Sequence, residues 1–112
     1  MKSQSAKAKG RKLQQIVRDT FLKYFKTLSL NDVKSTSMGA SGIDVQLSEA
    51  ARTLIPFDTE CKSRAAFSVD PMFQQAAENC GEGRTPLLVI KQNRGEVLAV
   101  LRLEDLMRIL TK

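Results

Sequence analysis

The chain of 112 residues contains no histidine. That absence excludes imidazole acid–base catalysis, Ser–His and Cys–His nucleophile pairs, and the commonest side-chain ligand of transition metals. Any chemistry must run through carboxylates, lysine, hydroxyls or a hard metal ion. Cysteine is scarce too: Cys61 and Cys80 fit no zinc-ligand spacing and are too few for a disulfide framework, which points to reduced thiols and a cytoplasmic setting. No apolar run approaches the roughly 18 to 20 residues that span a bilayer, and no apolar signal-like segment follows the basic N-terminus. A soluble protein without a membrane partner is expected. The remainder is ordinary globular composition, 42% hydrophobic and 27% charged, enough for one domain with a small core.

Acidic residues are nearly missing from the first third. Residues 1–34 hold nine Lys and Arg against Asp19 and Asp32, whereas residues 35–112 hold nine basic and ten acidic residues, so the net charge of +6 is N-terminal in origin. Residues 1–10, rich in Lys, Ser and Ala without apolar periodicity, read as a flexible basic arm ahead of a single domain over 11–112. Such a segment neutralises phosphates and releases counterions, making nucleic acid the leading partner. Lys7, Lys9, Arg11 and Lys12 are its candidate DNA contacts; a short solubilising tail is the alternative.

Apolar residues at Leu13, Ile16, Val17, Phe21, Leu22, Tyr24 and Phe25 recur every three or four positions, predicting a first helix from Arg11 to Leu28. Asn31 to Ser37 is weakly strand-like, and the small residues from Ser37 to Gly42 form a turn. Ile43, Val45 and Leu47 alternate with Asp44 and Gln46 as a strand with one polar face. Ser48 caps a brief helical turn that Pro56 ends. Phe57 to Lys62 is the next strand, with Phe57, Thr59 and Cys61 on one face and Asp58, Glu60 and Lys62 on the other. Asp70-Pro71 opens a helix that Gly81 closes. The run Leu87-Leu88-Val89-Ile90 is a central strand buried on both faces, Asn93-Arg94-Gly95 a turn and Glu96 to Leu101 a further strand. A last helix runs from Leu103 to Leu110 with Leu103, Leu106, Met107 and Leu110 inward. The sum is an α/β domain, a mixed central β-sheet flanked by helices in the order α-β-β-β-α-β-β-α.

Three ionisable residues could meet on adjacent strands: Asp44, and sixteen positions later Glu60 and Lys62, two apart and hence on one face. Hydrolysing a phosphodiester requires a metal against the phosphate, an activated water and a positive group near the developing charge. Asp44 and Glu60 offer oxygen ligands to Mg²⁺ or Mn²⁺, with the Cys61 backbone carbonyl as a further ligand. Lys62 suits orientation of water and charge stabilisation. An acid-x-lysine triplet arises about once by chance in such a composition, and Asp32-Val33-Lys34 is a second copy, read as a solvated edge. Glu60 and Lys62 as an exposed ion pair is the alternative at the first.

Gly42-x-Asp44, then Glu60-x-Lys62, then a helix carrying Gln75-Ala76 and an apolar strand resemble the PD-(D/E)XK nuclease superfamily over nearly the whole chain. The segments Ser37 to Asp44, Ala51 to Pro56 and Arg11 to Gln14 are similar to small bacteriophage endonucleases related to archaeal-type Holliday junction resolvases. The resemblance implies a restriction-endonuclease-like core and Mg²⁺-dependent endonuclease activity. Asp44 and Glu60 would be its metal ligands and Lys62 its catalytic lysine. The expected substrate is branched DNA such as a Holliday junction, cut by a homodimer whose two-fold axis matches the junction; in a phage-encoded protein the compartment is the host cytoplasm. The superfamily's helix-one acid is replaced by Gln14 or Gln15, weaker ligands than a carboxylate, and Ile43 rather than proline precedes Asp44. Gln75 is a candidate catalytic residue or a solvent-exposed glutamine, and Ser37 and Ser41 are candidate hydrogen-bond donors to DNA phosphates or members of a small-residue turn. A non-catalytic nucleic-acid-binding module and a nicking or repair endonuclease are the competing functions.

Overall fold

The apolar stripe of the first helix needs a surface to bury against, and a sheet supplies it. The computed structural model describes residues 2–36 and 43–112, with elements in the order α1 (Lys2–Tyr24), β1 (Val33–Ser35), β2 (Val45–Leu47), α2 (Glu49–Leu54), β3 (Phe57–Arg64), α3 (Val69–Asn79), β4 (Thr85–Gln92), β5 (Val97–Val100) and α4 (Leu103–Leu110). β3 and β4 pair in parallel from Phe57 opposite Thr85 to Arg64 opposite Gln92, and β5 runs antiparallel to β4. This is a mixed sheet in the order β3-β4-β5. β1 and β2 form an antiparallel pair. A backbone bond from Asp44 N–H to Thr59 O, 2.9 Å, pins that pair to the free edge of β3, while Thr36 N–H bonds Asp44 O at 2.8 Å.

Alternation along the strands divides the core. Cys61, Leu87 and Val89 pack with Leu13 and Val17 of α1, with Val33, Val45, Ala51 and Ile55 completing the cluster. On the other face Leu88 and Ile90 pack with Ala76 of α3, flanked by Phe67, Met72 and Phe73. β4 is thus buried on both faces, as parallel strands covered by helices on each side are.

A buried ion pair anchors the N-terminal ends of β3 and β4. Arg84 Nε bonds Asp58 Oδ1 at 3.1 Å, with both side chains less than a tenth exposed. Its remaining N–H groups donate to the carbonyls of Arg52, Ile55 and Phe57, and the second Asp58 oxygen accepts from Gly81 N–H. Every nitrogen of the guanidinium and both carboxylate oxygens thus have a partner, the condition under which buried charge is tolerated.

The structure departs from the sequence reading in five places. α1 begins at Lys2, so the backbone of the basic segment is helical rather than a flexible arm; Ala, Lys, Gln and Arg favour helix, and Gly10 alone does not break it. α1 ends at Tyr24, short of Leu28. The expected turn capped by Ser48 is a helix, α2, in its own right, so the order is α-β-β-α-β-α-β-β-α rather than α-β-β-β-α-β-β-α; Ser48 Oγ caps it by accepting from Ala51 N–H. α3 starts at Val69 with Ser68 as N-cap, leaving Asp70 in its first turn. α4 is rotated from its predicted face: Leu103, Met107 and Leu110 are exposed while Asp105 is buried, its carboxylate charge compensated by Arg102 and Arg108 from the exposed side of the same helix.

Candidate active site

The free edge of β3 presents backbone groups that a short β2 cannot fully pair. Asp44 satisfies two of them: its N–H donates to Thr59 O, and its carboxylate Oδ2 accepts from Cys61 N–H at 2.7 Å. The side chain thus replaces the carbonyl that a paired strand would supply. Because N–H and C=O of one strand residue point to the same edge, the Cys61 carbonyl lies on Asp44's side.

Glu60 is 5% exposed on the face of β3 that α3 covers, and Asn79 Nδ2 donates to its Oε1 at 3.3 Å. Burial raises the pKa of Asp44, against the Cys61 hydrogen bond and the charge of Lys62. Burial also raises Glu60, the charge of Asp44 raises it further, and Asn79 and Lys62 oppose both effects. The two carboxylates and the half-buried Lys62 therefore sense one another electrostatically. Carboxylates that resist ionising together form a site where a divalent cation removes the conflict. The Cys61 thiol is pushed far up by burial and by both carboxylates, so it is no thiolate nucleophile.

Gln14 is the buried member of the glutamine pair, 5% exposed, and its Oε1 has no hydrogen-bond partner; Gln15 is half-buried. An unpaired buried carbonyl oxygen costs about 1–3 kcal/mol. Thr59 Oγ1 is unpartnered as well. Asp44, Glu60 and the Cys61 carbonyl are all oxygen donors, the kind that hard divalent cations take, and Gln14 Oε1 is a further unpartnered oxygen, on α1. Among the described residues no cluster holds three or more His, Cys, Asp or Glu, so amide oxygens would have to complete the ligands.

Gln75 is exposed on α3 and makes no hydrogen bond to Asp44, Glu60 or Lys62 among the described residues. Asn79, one turn further on the same helix, contacts Glu60 instead; no spacing in the sequence marks a contact that crosses from helix to strand. Lys7, Lys9, Arg11 and Lys12 are exposed along α1. Ser37 and Ser41, with the turn that contains them, lie outside the described residues. Asp32, of the second acid-x-lysine triplet, accepts from Ser29 N–H and from the hydroxyl of Ser48. Those bonds lower its pKa, the Ser29 bond most, and they make it a link between the turn after α1 and the cap of α2.

Comparison with protein-family models, with curated proteins and with solved structures gives no match.

Proposed function

We propose that this chain is a metal-dependent endodeoxyribonuclease with a restriction-endonuclease-like core, hydrolysing phosphodiester bonds in branched DNA as a homodimer. The observation that carries the reading is the seat of Asp44 on the edge of β3, its carboxylate on Cys61 N–H and its charge felt at Glu60. Two carboxylates and a lysine at one strand edge suit metal-assisted phosphoryl hydrolysis, and the absence of histidine is no obstacle to it.

Asp44 and Glu60 would hold Mg²⁺ or Mn²⁺, with the Cys61 carbonyl and Gln14 Oε1 as neutral oxygen ligands. A cation bound there supplies Lewis-acid polarisation of the phosphate and a lower pKa for the attacking water. Asn79 fixes one oxygen of Glu60 and so orients the other. Lys62 positions the attacking water and offsets negative charge on the phosphate. Gln75, exposed one turn before Asn79, is open to substrate. A second reading, a non-catalytic nucleic-acid-binding module, is favoured by Gln14, which leaves the site one carboxylate short of the resembled pattern.

Rates separate the two. Asp44→Asn, Glu60→Gln and Lys62→Ala are each expected to slow Mg²⁺-dependent cleavage at least about 100-fold while DNA binding persists. A variant that cuts near the wild-type rate would remove its residue from the mechanism, and a wild type that binds without cutting would leave the binding module.

A further inference from the structure

Between α1 and the C-terminal ends of β3 and β4 lies a cleft of about 440 Å³ walled by Lys9, Lys12, Ser63, Lys91, Asn93 and Arg94, over an apolar floor from α1. Four cations and no acid line it, and none of the four pairs with a carboxylate among the described residues. A second basic cavity, near α4, also holds Arg52 and Lys112 outside any ion pair among the described residues, but it contains Asp105, which Arg102 and Arg108 face, and its Arg84 is committed to Asp58. The first cleft is lined by cations with no acid among them.

The cleft is braced. Lys9 Nζ donates to Asn93 Oδ1 at 3.0 Å, tying α1 to the turn between β4 and β5. At the tip of that turn Arg94 has φ +61°, a left-handed conformation that L side chains disfavour. Gly95 follows where an added Cβ would sit 3.2 Å from Gln92 O. An arginine kept where glycine or asparagine would fit more easily presents a guanidinium at the cleft mouth at a cost to the fold.

We infer that this cleft grips the phosphate backbone of DNA, with Lys91 and Arg94 as its principal contacts and Lys9 and Lys12 as its helical wall. Lys9 and Lys12 are three residues apart on α1 and so share one helix face, which lets both line the cleft. Ser63 follows Lys62 directly and lies about 10 Å along β3 from Glu60. The identity of the ligand rests on the nuclease reading, although the grip itself needs no catalysis.

Anisotropy of a fluorescein-labelled DNA duplex, titrated with the full chain in EDTA across a salt series, tests the grip apart from cleavage. The Lys91→Gln, Arg94→Gln double variant is expected to bind at least about 10-fold more weakly at low salt and to flatten the slope of log affinity against log salt by about 1.8. Lys23→Gln, about 21 Å along the helix from Lys9, should change affinity less than about twofold. Arg94→Gly should weaken binding while Tm stays level or rises, since the left-handed backbone is relaxed; weaker binding with a lower Tm would assign Arg94 to the fold. Cleft variants that bind as the wild type does, or a wild type without duplex affinity, overturn the inference. A chain that binds through the cleft and never cuts keeps it and loses the nuclease.

Discussion

Glu60 and Gln14 are buried and Asp44 is half-buried, and each environment has a measurable consequence. A carboxyl whose folded pKa is raised above its unfolded value contributes stability that is full below the unfolded pKa and is lost as pH rises through the folded one. Asp44 and Glu60 are both raised, by burial first, so near neutral pH without metal they oppose folding. Asp44→Asn and Glu60→Gln are each expected to raise Tm at pH 7 in EDTA by roughly 2–5 °C, a gain that vanishes in scans at acidic pH, where the wild-type carboxyls are protonated. Gln14→Glu puts a carboxylate at a buried position and should lower Tm in EDTA. It should also enlarge the Tm gain given by Mg²⁺ and reduce the Mg²⁺ concentration for half-maximal cleavage; Gln15→Glu, half-buried, should do neither. Equal responses from the two glutamines would mean that α1 contributes no ligand. The spacing of Asp44, Glu60 and Lys62 was readable because strand alternation fixes which residues share a face. Asn79 was not, because its contact crosses from helix to strand, and the choice between Gln14 and Gln15 depended on helix rotation.

Element boundaries followed where local chemistry decides them and failed where tertiary partners do. Alternation announced β2 and β3, the four-residue apolar run announced β4, and Ser48 and Pro56 bracketed α2. The reach of α1 back to Lys2 went unread because a polar segment without apolar period gives no signal beyond propensity. Asp58 was placed with Glu60 and Lys62 on a polar face, yet it is 5% exposed, its charge answered by Arg84 twenty-six residues away, a pairing no spacing rule exposes. That pair gives a stability test: Arg84→Ala leaves the Asp58 charge buried and removes donors from the carbonyls of Arg52, Ile55 and Phe57. Breaking such a pair costs about 3–5 kcal/mol, measurable by urea denaturation, and a loss under about 1 kcal/mol would show that water reaches the site.

For the whole molecule, apolar side chains of β5 and α4 stand outside: Val97, Leu98, Leu103, Met107 and Leu110 are each more than 40% exposed, although periodicity places Leu103, Met107 and Leu110 inward. β5 is also an open edge of the three-stranded sheet, the kind of surface that chains cover by pairing. The proposed homodimer would use it, so Leu98→Glu is expected to convert a dimer to a monomer in analytical ultracentrifugation with little change in Tm at low protein concentration; a wild type that is monomeric at high concentration would remove the dimer from the account. No helix of the described residues is long and apolar enough to cross a membrane. The central claim is that Asp44, Glu60 and Lys62 hydrolyse DNA with a hard metal ion. Its most direct test is a cleavage panel of end-labelled junction, flap, nicked and linear DNA in Mg²⁺, Mn²⁺, Ca²⁺ or EDTA, with the wild type beside Lys62→Ala. Expected are cutting of branched DNA by the wild type in Mg²⁺ or Mn²⁺, binding without cutting in Ca²⁺, and at least about 100-fold less product from Lys62→Ala. No cleavage of any substrate in either metal, or cutting that survives excess chelator, would contradict it.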